Sequence, residues 1–599
     1  MKLQTLHQIK RSLLFIPLLT LLGISFTTSA NRMSSVSYDS PSYLSSSNAQ
    51  TEDLDTTVVV NTVEGITEAI ASQLLKGHIT ILLEDGIYEF ERPLSIFTPS
   101  ITIKGKSGVR ENVIIQGDAM SSSAKVKGLI RVSGNDFHLA DLTLRNCGTH
   151  LLQIAGEQDA DRPIIDNVVF RDSYEQMLKI TYSAQKPDVS SDSGIVRNCL
   201  FEYTAGVGPQ YYIGGVDGHQ TKDWVISGNV FKGITSPDAQ IAEHAIHFWS
   251  DSKNTIVENN LIVNCQRGIG FGLTSSRGHI GGIIRNNIIY HDGIFRYDGT
   301  FAHDVAIGVE ACPNIQIYNN TVYQKGTYPN SIELRYDIST NGKIYNNLCN
   351  RAIKLRDNSS ADVSNNINNA DSAWFVSTED INFQLLPTAV NVIDAGLSVD
   401  TVKVDFVGNK RPWGVTYDIG AHEYNGINFY ASSYQVKKGE SVTLNWQTYN
   451  LENVTAYGAW SDSQEPSGSI VITPDSSSAY GIYGISGEDT ARFIVSIDVV
   501  PEMVVTSIVP IKANRQELKV YPNPAVGAVF VELPEKGDIN QQDMSLQLYS
   551  VTGQKIRVPY SYAGNKLIVN TSGIPEGKYV YLVSNKNEYI GSGKLIVRH

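Results

Sequence analysis

The stretch Gly214 to Trp224, GGVDGHQTKDW, sets Asp217 and His219 two residues apart in a run otherwise rich in glycine and apolar residues. An acid that can orient an imidazole, beside an imidazole that titrates near working pH, is a pairing suited to moving protons. His244 and His247 follow in EHAIHFW, with Trp249 close behind. Further along stand the cations Arg267, Arg335, Lys354 and Arg356, with the carboxylates Glu310 and Glu333 among them. Such a set could take a proton from carbon beside a carboxylate and stabilise the anion that results, an arginine gripping carboxylate or sulfate in bidentate fashion.

These residues can act together only if the fold gathers them, and a repeat says how. The pattern apolar-x-Asn-apolar recurs at Asn167, Asn198, Asn229, Asn260, Asn287, Asn320, Asn347 and Asn366, at intervals of 31, 31, 31, 27, 33, 27 and 19 residues. A period of this length built from short alternating segments is a solenoid of strands, and the recurrent Asn suits a ladder of side-chain amides capping stacked turns. The expected fold is all-β, a right-handed parallel β-helix over residues 56–424. The segment VEGITEAIASQLL has helical spacing and reads as a short helix at its start.

A second strand in each coil can be aligned from coil to coil: LKITY, VDGHQ, IHFWS, IGFGL, IGVEA, IELRY and IKLRD. Their first and third positions are nearly all apolar and are expected to face the core. The second and fourth then face solvent: Lys179/Thr181, Asp217/His219, His247/Trp249, Gly270/Gly272, Gly308/Glu310, Glu333/Arg335 and Lys354/Arg356. His244 and Arg267 stand just before their strands. This predicts a groove with imidazoles and an indole at one end, cations at the other, and a bare glycine floor between, shaped for a chain of sugars. Glycines near SSRGHIGG suggest a tight turn that hangs His279 over the groove. Arg335 and Lys354 read equally well as rungs of a salt-bridge ladder with Glu333.

Composition narrows the class of partner. The 599 residues carry a net charge of −13, which disfavours nucleic acid but leaves room for a local basic cleft that takes an acidic polysaccharide. The start, residues 1–30, reads as a secretory signal, followed by a Ser-rich linker at 31–55. No later segment has the ~18 uncharged apolar residues needed to span a bilayer. Five scattered cysteines read as buried thiols rather than a disulfide framework, and no His or Cys spacing suggests zinc. Calcium is the one cofactor left open, although no cage of oxygen ligands can be placed. Residues 425–500 alternate in short Thr, Ser and Tyr-rich runs, as in a small Ig-like β-sandwich. A linker at 501–516 leads to another small β-sandwich at 517–599. A monomer is expected.

That last module resembles the C-terminal sorting domain of the type IX secretion system in LKVYPNPA, LYSVTGQKI, IPEGKYVYLV and the terminal GSGKLIVRH. The resemblance implies the secretion machinery as a partner and a secreted or surface-anchored product. The β-helix resembles the pectate-lyase-like superfamily of polysaccharide lyases, uronate C5-epimerases and some glycoside hydrolases. VDGHQTKDWVISGNVF is similar to the Asp-x-His segment of mannuronan C5-epimerases, which implies catalytic roles for Asp217 and His219. EHAIHFWSDSKNTIVENNLIV is similar to a segment of chondroitinase B and alginate lyases, with Trp249 standing where that family has its catalytic lysine.

Lyases and epimerases of uronates share removal of the C5 proton, for which His219 and His247 are the candidate bases, Asp217 the orienting acid and Arg267 a neutralising cation. His244, Trp249, His279, Glu310, Glu333, Arg335, Lys354 and Arg356 are candidates for binding the sugar chain. The favoured expectation is a secreted lyase cleaving a uronic-acid polysaccharide by β-elimination. The alternatives are a uronate C5-epimerase, a glycoside hydrolase using Glu310 and Glu333 as its carboxyl pair, and a non-catalytic surface carbohydrate-binding protein.

Overall fold

The computed structural model describes residues 56–72, 78–295, 302–487, 489–500 and, with short gaps, 518–598; the expected signal peptide and both linkers lie outside them. The chain is a parallel β-helix followed by two small antiparallel β-sandwiches. One face of the β-helix is a ten-stranded parallel sheet running from Leu94–Ile96 to Ala352–Leu355. Its register is the one the alternation predicts: Leu178, Val216, Ile246, Ile269, Ile307, Ile332 and Ile353 align coil upon coil. All but the last are fully buried. Rings stack along the interior, with Phe170, Phe201 and Phe231 spaced 4.5 and 4.6 Å apart. The cap helix, Val63–Ser72, buries Ile66, Ala69 and Ile70, and Thr62 Oγ1 accepts the Gly65 N–H at 3.0 Å.

The other coil strands form a 20-stranded sheet that bends at the Asn turns. Two columns meet at that bend. In the inner column, the Asn260 amide donates to Asn287 Oδ1, Asn287 to Asn320 and Asn320 to Asn347, each at 2.9 or 3.0 Å, and Asn229 and Asn366 extend the ladder. The outer column takes up positive φ: Asn167, Asn198, Gly228, Asn259, Asn286, Asn319, Asn346 and Asn365. Asn and Gly tolerate this conformation better than other residues. Asn167 and Asn198 therefore belong to the outer column, and the ladder position beside Asn198 is held by Cys199. All five cysteines are free and buried.

After the last coil, residues 386–424 fold back along the solenoid. Arg411, completely buried, holds them there: its guanidinium pairs with Glu423 and donates to the carbonyls of Asp418 and Gly420 and to Asn286 Oδ1. The first sandwich faces a three-stranded sheet with a five-stranded one around Phe429, Leu444, Trp446 and Ile482. The last module, a compact unit of its own, pairs two four-stranded sheets over Val529, Leu548, Leu567 and Tyr581.

Candidate active site

Two outward rows of the ten-stranded sheet carry the polar side chains. The first runs Lys179, Asp217, His247, Gly270, Gly308, Glu333, Lys354, and the second contains the pairs His219–Trp249 and Glu310–Arg335. Asp217 is the hub of one cluster. Its Oδ2 forms an ion pair with Lys179 Nζ, and its Oδ1 accepts the Trp249 indole N–H at 2.8 Å. His219 Nε2 lies 3.6 Å and His247 Nδ1 3.9 Å from its two oxygens. Burial alone would push the Asp217 carboxyl up; Lys179, with His219 and His247, more than reverses this and holds it well below the usual carboxylate range.

The histidines sit in a stack of rings. His219 lies between Tyr182, parallel at 4.9 Å, and Trp249 at 4.4 Å, with Nδ1 3.3 Å from Ser250 Oγ. Burial lowers its pKa, so the neutral ring persists below the usual imidazole range. His247 stacks parallel to Trp249 at 5.2 Å, and its Nε2–H donates to the Gly272 carbonyl at 2.9 Å. His244 meets His247 at 4.5 Å between ring centroids. The two converge because the strand turns a corner: Ala245 and Ile246 both go into the core, where Gly215, Gly268 and Ala306 keep the same corner narrow.

Three expectations need correction. The outward rows are packed rather than open, since Asp217, His219, His244 and His247 are 4, 6, 7 and 1% exposed. The glycine floor is not bare, because a Cβ at Gly270 would strike the His244 ring at 2.7 Å; that glycine makes room for His244. Gly272 is required by its φ of +76°. His279 does not overhang the groove: it is fully buried, stacked on Phe271 at 4.1 Å, bonded through Nε2 to Thr255 Oγ1 at 2.9 Å, and held neutral by burial, its pKa lowered to about 3.

The cations beyond the glycines pair with carboxylates. Arg267 holds Asp304 at 2.9 Å, Arg335 bridges Glu310 and Asp357 at 3.0 Å each, and Arg356 holds Glu333 at 2.5 Å. Glu333 also accepts from Tyr328 and Asn330. Lys354, in register beyond Glu333, is exposed. The expected ladder with Glu333 is thus corrected: Arg335 pairs with Glu310 and Asp357 instead, and Glu333 takes Arg356 as its cation. Two further cavities, about 510 and 360 Å³, lie elsewhere, around Asp380 and Tyr430 and around Asn229 and Phe493.

Four residues of the cluster are not among the sequence-derived candidates. Lys179 was visible on the outward row, one coil before Asp217. Tyr182 and Glu243 carry no periodic signal because they stand at strand ends. Arg277 sits in the same turn as His279; its guanidinium lies 5.3 Å over the Trp249 ring, exposed, with no carboxylate partner among the described residues.

Calcium wants a shell of oxygens. Among the described residues, one group of three His, Cys, Asp or Glu donors comes close enough to share an ion, and it offers two imidazoles and one carboxylate, Glu243, His244 and His247. That donor set does not suit calcium.

Residues 519–598 match the family model of the secretion system C-terminal sorting domain, so the chain carries the type IX export module and is secreted or displayed at the cell surface. No helix among the described residues is long and apolar enough to cross a membrane. No curated protein matches the chain. Among solved structures, the chain is similar to pectate lyase Pel9A, at 14% identity and a TM-score of 0.41 over 60% of this chain and 90% of that one. It is similar to an alginate lyase from Paenibacillus sp. str. FPU-7, at 14% identity and a TM-score of 0.31 over 45% and 98%. It is also similar to PfbA, a surface adhesin of Streptococcus pneumoniae, at 13% identity and a TM-score of 0.34 over 51% and 85%. An exported parallel β-helix with a buried acid–imidazole cluster on one face is what these observations together describe.

Proposed function

We propose that the chain is a polysaccharide lyase that cleaves a uronic-acid-containing polymer by β-elimination. The observation that carries this reading is the desolvated set around Asp217: a neutral imidazole held between two aromatic rings, with a guanidinium above the indole that has no carboxylate partner among the described residues. In the proposed step His219 takes the proton from C5, the electron pair left on carbon forms the C4–C5 double bond, and the C4–O bond to the neighbouring sugar breaks. The leaving oxygen takes up a proton, and the product is an unsaturated uronate. Arg277 neutralises the carboxylate whose enolate forms during the step. His219 is preferred to His247 because the latter's Nε2 is committed to the Gly272 carbonyl. A hydrolase is disfavoured because Glu310 and Glu333 are each closed off by an arginine.

The test is incubation of the purified chain with a panel of uronate polymers while following the ultraviolet absorbance of the unsaturated product. His219→Gln is expected to reduce the rate about 100-fold or more, and Arg277→Ala to raise KM roughly tenfold. Reducing ends released without ultraviolet absorbance would replace the lyase by a hydrolase. C5 inversion without chain cleavage would replace it by an epimerase, and binding without either reaction by an adhesin.

A further inference from the structure

The corner that brings His244 beside His247 also brings Glu243. One donor atom from each lies within 4.8 Å of the other two. The Gly272 carbonyl can only accept, so His247 Nε2 carries the proton of the hydrogen bond at 2.9 Å, and in the neutral ring Nδ1 presents its lone pair. That lone pair faces Glu243 Oε2 at 3.8 Å and Asp217 Oδ1 at 3.9 Å, beyond hydrogen-bond distance and against two carboxylate oxygens. Two carboxylate oxygens gathered at one ring nitrogen call for a cation there, which the ring's own second proton or a metal ion can supply. His244 adds the second signal: its Nδ1 is buried without a hydrogen-bond partner.

One of the three spacings is already close to that of a small ion, and all lie within 4.8 Å. Donors ~2.0–2.2 Å from a first-row cation lie about 3.0–3.5 Å from one another at tetrahedral or octahedral angles. Glu243 and His247 reach that separation from 3.8 Å by a shift of a few tenths of an ångström, and the Glu243 side chain, 26% exposed, has the freedom to make it. Its solvent edge leaves a route of entry and open coordination positions. The Gly272 carbonyl fixes the tautomer of His247 from behind, as outer partners of metal-bound histidines do.

We infer that Glu243, His244 and His247 form a binding site for a first-row divalent cation of the zinc or manganese class. Two imidazoles and a carboxylate with free positions are the donor set such ions take. On the uronate reading, which this last step needs, a substrate carboxylate oxygen completes the coordination.

The test uses the full-length chain, stripped with chelator and titrated separately with zinc, manganese and calcium salts by calorimetry, alongside Glu243→Gln and His247→Gln. Manganese is also followed by electron spin echo spectroscopy for coupling to imidazole nitrogen. One zinc or manganese per chain, nitrogen coupling, and affinity weakened at least tenfold in Glu243→Gln are expected. Absence of saturable zinc and manganese binding by a chain of native circular dichroism overturns the site, as does affinity unchanged in both variants or a preference for calcium. Because Glu243 is partly exposed, its variant remains informative even if His247→Gln fails to fold. If the ion binds and no uronate polymer is cleaved, the metal site stands and the lyase reading falls; if a chain that binds no metal cleaves at an undiminished rate, the lyase reading stands and the metal site falls.

Discussion

Asp217 concentrates more of the site's energetics than any other side chain, because among the described residues it is the acid that pairs with Lys179, and both are buried. A buried pair resists loss of one member more than loss of both: the survivor is left as an uncompensated charge. Asp217→Asn is therefore expected to destabilise the chain by about 3–5 kcal/mol, read as a lowered melting temperature. The double variant Lys179→Met/Asp217→Asn should recover most of it. A melt unchanged by Asp217→Asn would show that the ion pair contributes little to the folded state. At this scale the sequence was informative about which residues share a row and silent about how deeply they lie. Period-two alternation put Lys179, Asp217 and His247 side by side, as the register has them. It could not reveal that a His244 ring fills the space over Gly270, since that depends on a corner in the backbone. Nor could it separate Arg277 from His279, two residues apart, of which one stands over the indole and the other packs on Phe271.

The coil is the element that repeats, and its bend shows how far a pattern of residue types can be read. Paired asparagines such as Asn259–Asn260 and Asn286–Asn287 announce the turn without saying which member does what. The structure divides the labour: the first adopts positive φ, and the second spans neighbouring coils. Single-asparagine coils misled the register for the same reason, which is why Asn167 and Asn198 fell into the ladder on sequence alone. The two columns should respond differently to substitution. Asn287 donates to Val257 O and Asn320 and accepts from the Asn260 backbone and side chain, all buried. Asn287→Ala strands several of these groups and is expected to cost about 3–5 kcal/mol. Asn259→Gly keeps the backbone conformation that Gly228 already uses in that column, and should cost less than about 1 kcal/mol. Denaturant melts of the two variants check the contrast; equal losses would remove the distinction between the columns.

Across the whole molecule, neutral histidines buried in the solenoid tie its stability to pH. His279 is fully buried with its pKa lowered to about 3, and His150 lies over the Gln176 carbonyl with its pKa lowered to about 4; burial is the main cause in both. A pKa depressed below the unfolded value of about 6.5 means that the unfolded chain binds protons the folded chain refuses. Their contribution is therefore complete above pH 6.5 and shrinks as pH falls toward the folded-state values. Between pH 6.5 and pH 5 each histidine should remove about 2 kcal/mol. Asp418 acts in the opposite sense: burial, with the Glu423 carboxylate beside it, lifts its pKa to about 7, so the folded chain takes up a proton there as pH falls and offsets part of the loss. The histidine share is read by comparison with the variant: in melts at pH 7.5 and pH 5, His279→Gln, by removing one of the two groups, should shift the stability difference between the two pH values by about 2 kcal/mol in favour of pH 5. A gap that the variant leaves unchanged would mean that the Phe271–His279 stack opens before the solenoid does, and would place the acid-sensitive step elsewhere in the coils.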